Sequence, residues 1–271
     1  MRLAVVIALG DQTGRMPQHM QRLLEQLRGL QALMVLVCRP MDGDYARYLQ
    51  SFGRVLMRDP DGDARFGSYQ AGIESLGDLS AYTRLLLLDS SFIAFNPADL
   101  CARAMSPPAG LDVVGLTMVH APEACLQSYW LSFEGSQVLR SAAFRAWWAG
   151  KRIRGDRAMT RHFTESGFSV GAMFRPDRAE SIVAACRALA CGAMSLTVPD
   201  DGPYMLDPSL ALHSDPAVFA WDALFAEFGV LVLELLRSVP HGVNITALRK
   251  WIANTPGAAA LVDEALRSQL A

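Results

Sequence analysis

Apolar residues in this chain first form short solid runs and later fall into helical spacing. LAVVIAL (Leu3 to Leu9), ALMVLVC (Ala32 to Cys38), RVLMR (Arg54 to Arg58) and RLLLLD (Arg84 to Asp89) read as buried strands. Between them, Pro17 to Leu30 reads as a helix with an apolar face at Met20, Leu23, Leu24 and Leu27. YARYLQSF (Tyr45 to Phe52) reads as a short helix, and YQAGIESLG (Tyr69 to Gly77) as another after the turn-rich DPDGDARFGS. Strands alternating with helices predict βαβ units and a mainly parallel sheet, and strands with no polar alternation predict a sheet covered on both faces.

LDVVGLTM (Leu111 to Met118) reads as a further strand, as do YWLSF (Tyr129 to Phe133) and SVGAMF (Ser169 to Phe174). SAAFRAWWAG and RAMTRHFTES read as helices, the second stopped by Gly167 as a C-terminal cap. From about Ala179 the pattern is mostly helical, interrupted by VPDDGPYMLDP, so residues 1–178 form the α/β unit and 179–271 a helical portion packed on it. VFAWDALFAEFGVLVLELL is the most apolar late stretch. Asp222, Glu227 and Glu234 make it an amphipathic or core helix instead of a membrane span. The N-terminal MRLAVVIALG has a signal-peptide look, but GDQTGRMP follows it where a cleavage site would stand, which favours a first buried strand.

The chain has 271 residues, 51% hydrophobic and 19% charged, with a formal net charge of −2. That supports a large core and argues against a general electrostatic grip on nucleic acid. Basic residues cluster only in KRIRGDRAMTR (Lys151 to Arg161), either a solvated face or a local phosphate contact. The five cysteines include no CxxC pair and read as buried thiols of a reducing, cytoplasmic compartment.

Neither GxGxxG nor a P-loop occurs in the first half, which removes the dinucleotide and P-loop readings. GFSVG (Gly167 to Gly171) fits G-x-S-x-G, with Asp207 and His213 as partners for a Ser169 hydrolase. A helix precedes it and a strand follows, the reverse of a nucleophile elbow. Asp59, Asp61 and Asp63 alternate without the remaining ligands of a calcium loop. Gly67 and Ser68 stand before a predicted helix, where free N–H groups either are capped or hold a phosphate or ribose. Asp89, Ser90 and Ser91 end a buried strand, either as a cap or as a ligand site. Gln127 and Ser128 interrupt an apolar run and need partners, from backbone or ligand. His120 lies in a loop.

In order, FGSYQAGI, LLLLDSS, VVGLTM, LQSYWLSF with VLRSAAFRAWW, GDRAMTRHFTESGF and DPAVFAWDALFAEFGVLVLELLRSVP resemble the rhamnan synthesis protein F family, over roughly Val35 to Pro240. The resemblance implies a GT-A-like fold and a glycosyltransferase, of rhamnosyl and inverting type, in bacterial cell-surface polysaccharide (O-antigen) assembly. It implies a dTDP-L-rhamnose donor, a lipid-linked saccharide acceptor, and Mg²⁺ or Mn²⁺ on Asp89. Ser91 stands where the usual Asp-x-Asp has its second carboxylate, and Arg65 stands where the family carries an aspartate.

On this reading Gly67, Ser68, Tyr69, Asp89, Ser90 and Ser91 line the donor pocket, and His120, Gln127, Ser128 and Tyr129 face sugar or acceptor. Asp156, four residues before Thr160, is the base, with Arg157 or Arg161 assisting the diphosphate. The apolar C-terminal helix offers a peripheral contact to the inner membrane face or a partner enzyme. The alternative is a degenerate family member that binds a saccharide or partner without catalysis.

Overall fold

The computed structural model describes residues 2–9, 16–41, 43–59, 64–120, 123–135, 137–150, 153–190, 215–233, 235 and 245–270. The chain runs β1 (Leu3–Ala8), α1 (Gln18–Gly29), β2 (Leu33–Cys38), α2 (Gly43–Gln50), β3 (Arg54–Met57), α3 (Ala64–Leu76), β4 (Arg84–Asp89), β5 (Phe92–Ala94) and α4 (Pro97–Met105). It continues with β6 (Val113–Gly115), β7 (Met118–Val119), β8 (Cys125–Leu126), β9 (Trp130–Glu134), α5 (Ala142–Ala149), α6 (Asp156–Glu165), β10 (Val170–Ala172) and α7 (Arg178–Ala190). After these come α8 (Pro216–Phe219), α9 (Trp221–Phe228), β11 (Val230–Val232), α10 (Ile245–Asn254) and α11 (Ala258–Leu270).

Seven strands form one sheet in the order β3-β2-β1-β4-β9-β6-β10. All neighbours are parallel except β9, which runs antiparallel to both β4 and β6. The mainly parallel sheet flanked by helices is the architecture that the alternating pattern predicts. Both faces are covered. Leu3, Val5 and Ile7 of β1 pack among α1, α4 and the C-terminal helices, while Ala4, Val6 and Ala8 pack among α3, α5 and α6. Leu85 to Leu88 are fully buried, each contributing roughly 2 kcal/mol by leaving water.

Close packing fixes α3 on the sheet. Gly72 faces Val6, and a Cβ built there would stand 2.2 Å from Val6 Cγ1. Helix ends obey local chemistry. Ser141 caps α5 through Phe144 N–H at 2.9 Å, and Gly167, with φ of +85°, closes α6 as expected.

Three elements differ from the sequence expectation. LDVVGLTM is two strands, β6 and β7, separated at Leu116 and Thr117. β7 leaves the main sheet to pair with β8. The long apolar stretch after Val218 is not one helix. Gly229, left-handed at φ of +61°, ends α9, and β11 returns to pair antiparallel with β5. The helix after DPDGDARFGS starts at Ala64 and so takes in Arg65, Gly67 and Ser68. The described cysteines are all free, but Cys125 is half-buried and Cys186 exposed instead of buried. No helix among the described residues is long and apolar enough to cross a membrane.

Candidate functional site

The strand order reverses between β1 and β4: β2 and β3 continue to one side, β9, β6 and β10 to the other. Open α/β sheets bind ligands at the carboxyl ends of the strands beside such a reversal. Asp89 occupies that position, the last residue of β4, in register with Ala8 at the end of β1. Its carboxylate is buried. Oδ1 accepts the Ser91 N–H at 2.8 Å and the Ser91 hydroxyl, the capping arrangement that was one reading of this strand end, and the other oxygen faces a charge. That charge is Arg65, whose Nε lies 2.5 Å from Asp89 Oδ2.

Arg65 comes from the first turn of α3, and its Nη1 also donates to Ser128 Oγ at 3.0 Å. Tyr69, one turn later on the same face, donates its hydroxyl to the Ser128 carbonyl at 2.7 Å. Ser128 in turn donates its hydroxyl and its backbone N–H to Asp156. Asp156 opens α6, and burial raises its pKa above the ordinary carboxylate range. The Ser128 hydrogen bonds and the nearby Arg65 act in the opposite direction, and Asp89 adds to the rise. A carboxyl group poised this way is a stronger base than an exposed one. The position of α6 is set by Thr160, whose Oγ1 accepts the Leu126 N–H at 2.8 Å and donates to the Asp156 carbonyl at 2.7 Å.

The structure therefore joins Asp89, Arg65, Ser128 and Asp156 in one hydrogen-bonded chain at the sheet reversal. Of the expected donor residues, Gly67 and Ser68 are corrected. They lie inside α3 and not before it, so their N–H groups belong to the helix ladder and are not free for a phosphate. Tyr69 and Tyr129 are buried. Tyr129 places its hydroxyl 2.6 Å from Thr117 Oγ1, and its carbonyl accepts the Asp89 N–H at 3.2 Å. Gln127 bridges Thr117 Oγ1, which donates to its Oε1, and Asp215, which accepts from its Nε2 at 2.9 Å. Asp215 also caps α8 through Ala217 N–H at 2.8 Å. The polar interruption in LQSYW thus finds its partners within the protein.

His120 stands apart, with Arg175, Ser181 and Pro216 on a cavity of about 380 Å³. Desolvation and then the Arg175 charge lower its pKa. Arg161 pairs with Glu123 at the surface. Ser169 is exposed, its N–H bonded to Asp112 Oδ2 at 2.8 Å, and His162 contacts the Ala143 carbonyl. Asp207 and His213 lie outside the described residues, as do Asp61 and Asp63.

Two participants were not singled out as site residues from the sequence: Arg65, taken only as a departure from a family pattern, and His19. His19, at the start of α1, is buried against the Ser90 backbone without a well-aligned hydrogen bond at either ring nitrogen. Burial lowers its pKa to about 4, against a smaller rise from the Ser90 contact.

The described residues do not fit the divalent cation implied by a GT-A-like reading. Asp89 has Ser91 on one oxygen and Arg65 on the other. No group of three His, Cys, Asp or Glu among the described residues is arranged to hold a metal ion.

No family model matches the chain, and no curated protein matches it. Solved structures are similar at low identity. A 4-diphosphocytidyl-2C-methyl-D-erythritol synthase is 15% identical with a TM-score of 0.43, over 65% of this chain and 89% of its own. The mannosyltransferase PcManGT from Pyrobaculum calidifontis, in complex with GDP-Man and Mn²⁺, is 11% identical with a TM-score of 0.41, over 99% and 87%. The glycosyltransferase GlyE of Streptococcus pneumoniae TIGR4 is 12% identical with a TM-score of 0.38, over 84% and 64%.

Proposed function

We propose that the chain is a glycosyltransferase that takes a sugar from a nucleoside-diphosphate donor. The observation that carries this reading is Asp89 at the sheet reversal, linked through Arg65 and Ser128 to a second carboxylate of raised basicity, Asp156. One carboxylate positions the cation that faces the diphosphate, and the other, buried and of raised basicity, serves as base.

In the transfer, Asp156 accepts the proton of an acceptor hydroxyl. The acceptor oxygen forms a bond to the sugar's anomeric carbon, and the bond from that carbon to the diphosphate oxygen breaks. The electron pair leaves with the nucleoside diphosphate, and the configuration at the carbon inverts. The resemblance to the rhamnan synthesis protein F family supports rhamnose as the sugar, thymidine diphosphate as the carrier and a lipid-linked saccharide as the acceptor. It also supports work at the inner face of a bacterial membrane. The cavity beside His120 and Arg175 is the acceptor side on this reading.

A panel of nucleotide sugars in thermal melts tests the donor. A ligand at about a hundred times its dissociation constant adds roughly 2.7 kcal/mol of stability. A shift selective for a thymidine-diphosphate sugar supports the rhamnosyl reading. A shift with nucleotide but no release of nucleoside diphosphate favours the degenerate binding module, and no shift with any nucleotide sinks the donor site.

A further inference from the structure

We propose that Arg65 replaces the divalent cation at this site, so that donor binding is independent of metal. The inference rests on the transferase reading for the identity of the anion. Its own basis is the occupancy of Asp89: the carboxylate that would hold a metal already holds a guanidinium, 2.5 Å away. A cation entering there would displace Arg65 and meet its like charge.

The guanidinium has what the role needs. Its carboxylate partner is 8% exposed, whereas Arg65 itself is 37% exposed, so the pair is anchored in the protein at the carboxylate and open to solvent at the guanidinium. Hydrogen bonds to Asp89 and to Ser128 hold it in one plane. A fixed guanidinium neutralises the charge that grows on a departing diphosphate, as a metal ion otherwise does, and costs no reorganisation at that moment. Arg65 stands where the resemblance implies an aspartate, so the departure sets a positive charge beside Asp89.

Other cations stand on the same sheet edge. Arg39 follows β2 and Arg58 follows β3. The Arg58 N–H bonds the Cys38 carbonyl at 2.9 Å, and its guanidinium reaches the Gly67 carbonyl in α3. Asp59 follows Arg58, and Asp89 ends β4 on the same edge. Three arginines therefore share the carboxyl edge where a diphosphate would lie.

Calorimetry with thymidine, uridine and guanosine diphosphate, on the full chain in EDTA and in Mn²⁺, tests the proposal. The nucleotide that binds is expected to bind equally in both buffers. Arg65→Met is expected to weaken it by about tenfold or more, the loss of a charge-assisted contact. Arg65→Asp, which sets a second carboxylate beside Asp89, is expected to bind only with Mn²⁺. Wild-type binding that strengthens about tenfold with Mn²⁺ would overturn the role of Arg65 and leave the transferase reading standing. Absence of binding in either buffer, from folded wild-type protein, would overturn both. The wild-type comparison needs no variant to fold.

Discussion

Arg65 Nε lies 2.5 Å from Asp89 Oδ2, tying the first turn of α3 to the end of the central strand β4. The pair is asymmetric, because Asp89 is buried and Arg65 is more than a third exposed. Removing the arginine leaves a carboxylate buried without its counter-charge, whereas removing the carboxylate leaves a guanidinium that water can reach. Arg65→Met is expected to lower stability by about 2–3 kcal/mol and Asp89→Asn by about 1 kcal/mol. Urea denaturation of the two variants checks the order, and a reversed order would contradict the pairing.

Asp156 combines a stability cost with the role of base proposed for it. Its raised pKa means that the folded state holds the proton more tightly than the unfolded chain does. Its contribution to stability is thus complete below the ordinary carboxylate pKa and is lost as pH rises through the raised value. Asp156→Asn removes the charge and keeps an acceptor for Ser128. It is expected to melt at the same temperature or higher at neutral pH, while transfer falls by about 10²–10⁴-fold. A destabilised variant with full activity would reverse the assignment.

His19 makes the fold sensitive to acid. Its pKa in the folded state is about 4 against an ordinary 6.5. Below about pH 6.5 the unfolded chain takes a proton that the folded chain refuses, so stability drains away until about pH 4. The full loss is roughly 3 kcal/mol, at about 1.36 kcal/mol per pH unit. His19→Leu is expected to flatten this part of the pH profile in denaturation experiments. A variant with the same slope as wild type would move the effect to another group.

Gly72 sets the distance between α3 and β1, and α3 carries Arg65. A methyl group there meets Val6 Cγ1 at 2.2 Å, in a fully buried contact. Gly72→Ala is expected to cost about 1–3 kcal/mol by overpacking and to weaken nucleotide binding by shifting Arg65. Val6→Ala in the same chain should return part of both. Melts and calorimetry of the single and double variants measure the two effects together.

The sheet could be read from the sequence because its strands are unbroken apolar runs, with turn residues on each side. Two breaks were hidden inside apolar stretches. Leu116 and Thr117 divide β6 from β7, and Gly229 turns the chain from helix to strand, a residue visible in the sequence but outweighed by the apolar residues around it. Asp89 and Asp156 were legible as carboxylates at element ends. Arg65 was not, because α3 begins at Ala64, earlier than the apolar pattern suggests. With the helix begun there, Arg65 and Tyr69 fall on one face, and both reach Ser128. The Arg65–Asp89 and Ser128–Asp156 contacts join segments far apart in the chain, which no local pattern can announce.

The central claim is that this crevice splits a nucleotide sugar with Asp156 as base. Release of nucleoside diphosphate from a panel of nucleotide sugars, with a saccharide acceptor present, measures it most directly in wild type and Asp156→Asn. The account predicts release from one donor class by the wild type, and a loss of about 10²-fold or more in the variant. No release by folded wild type from any donor, or equal release by the variant, would contradict it.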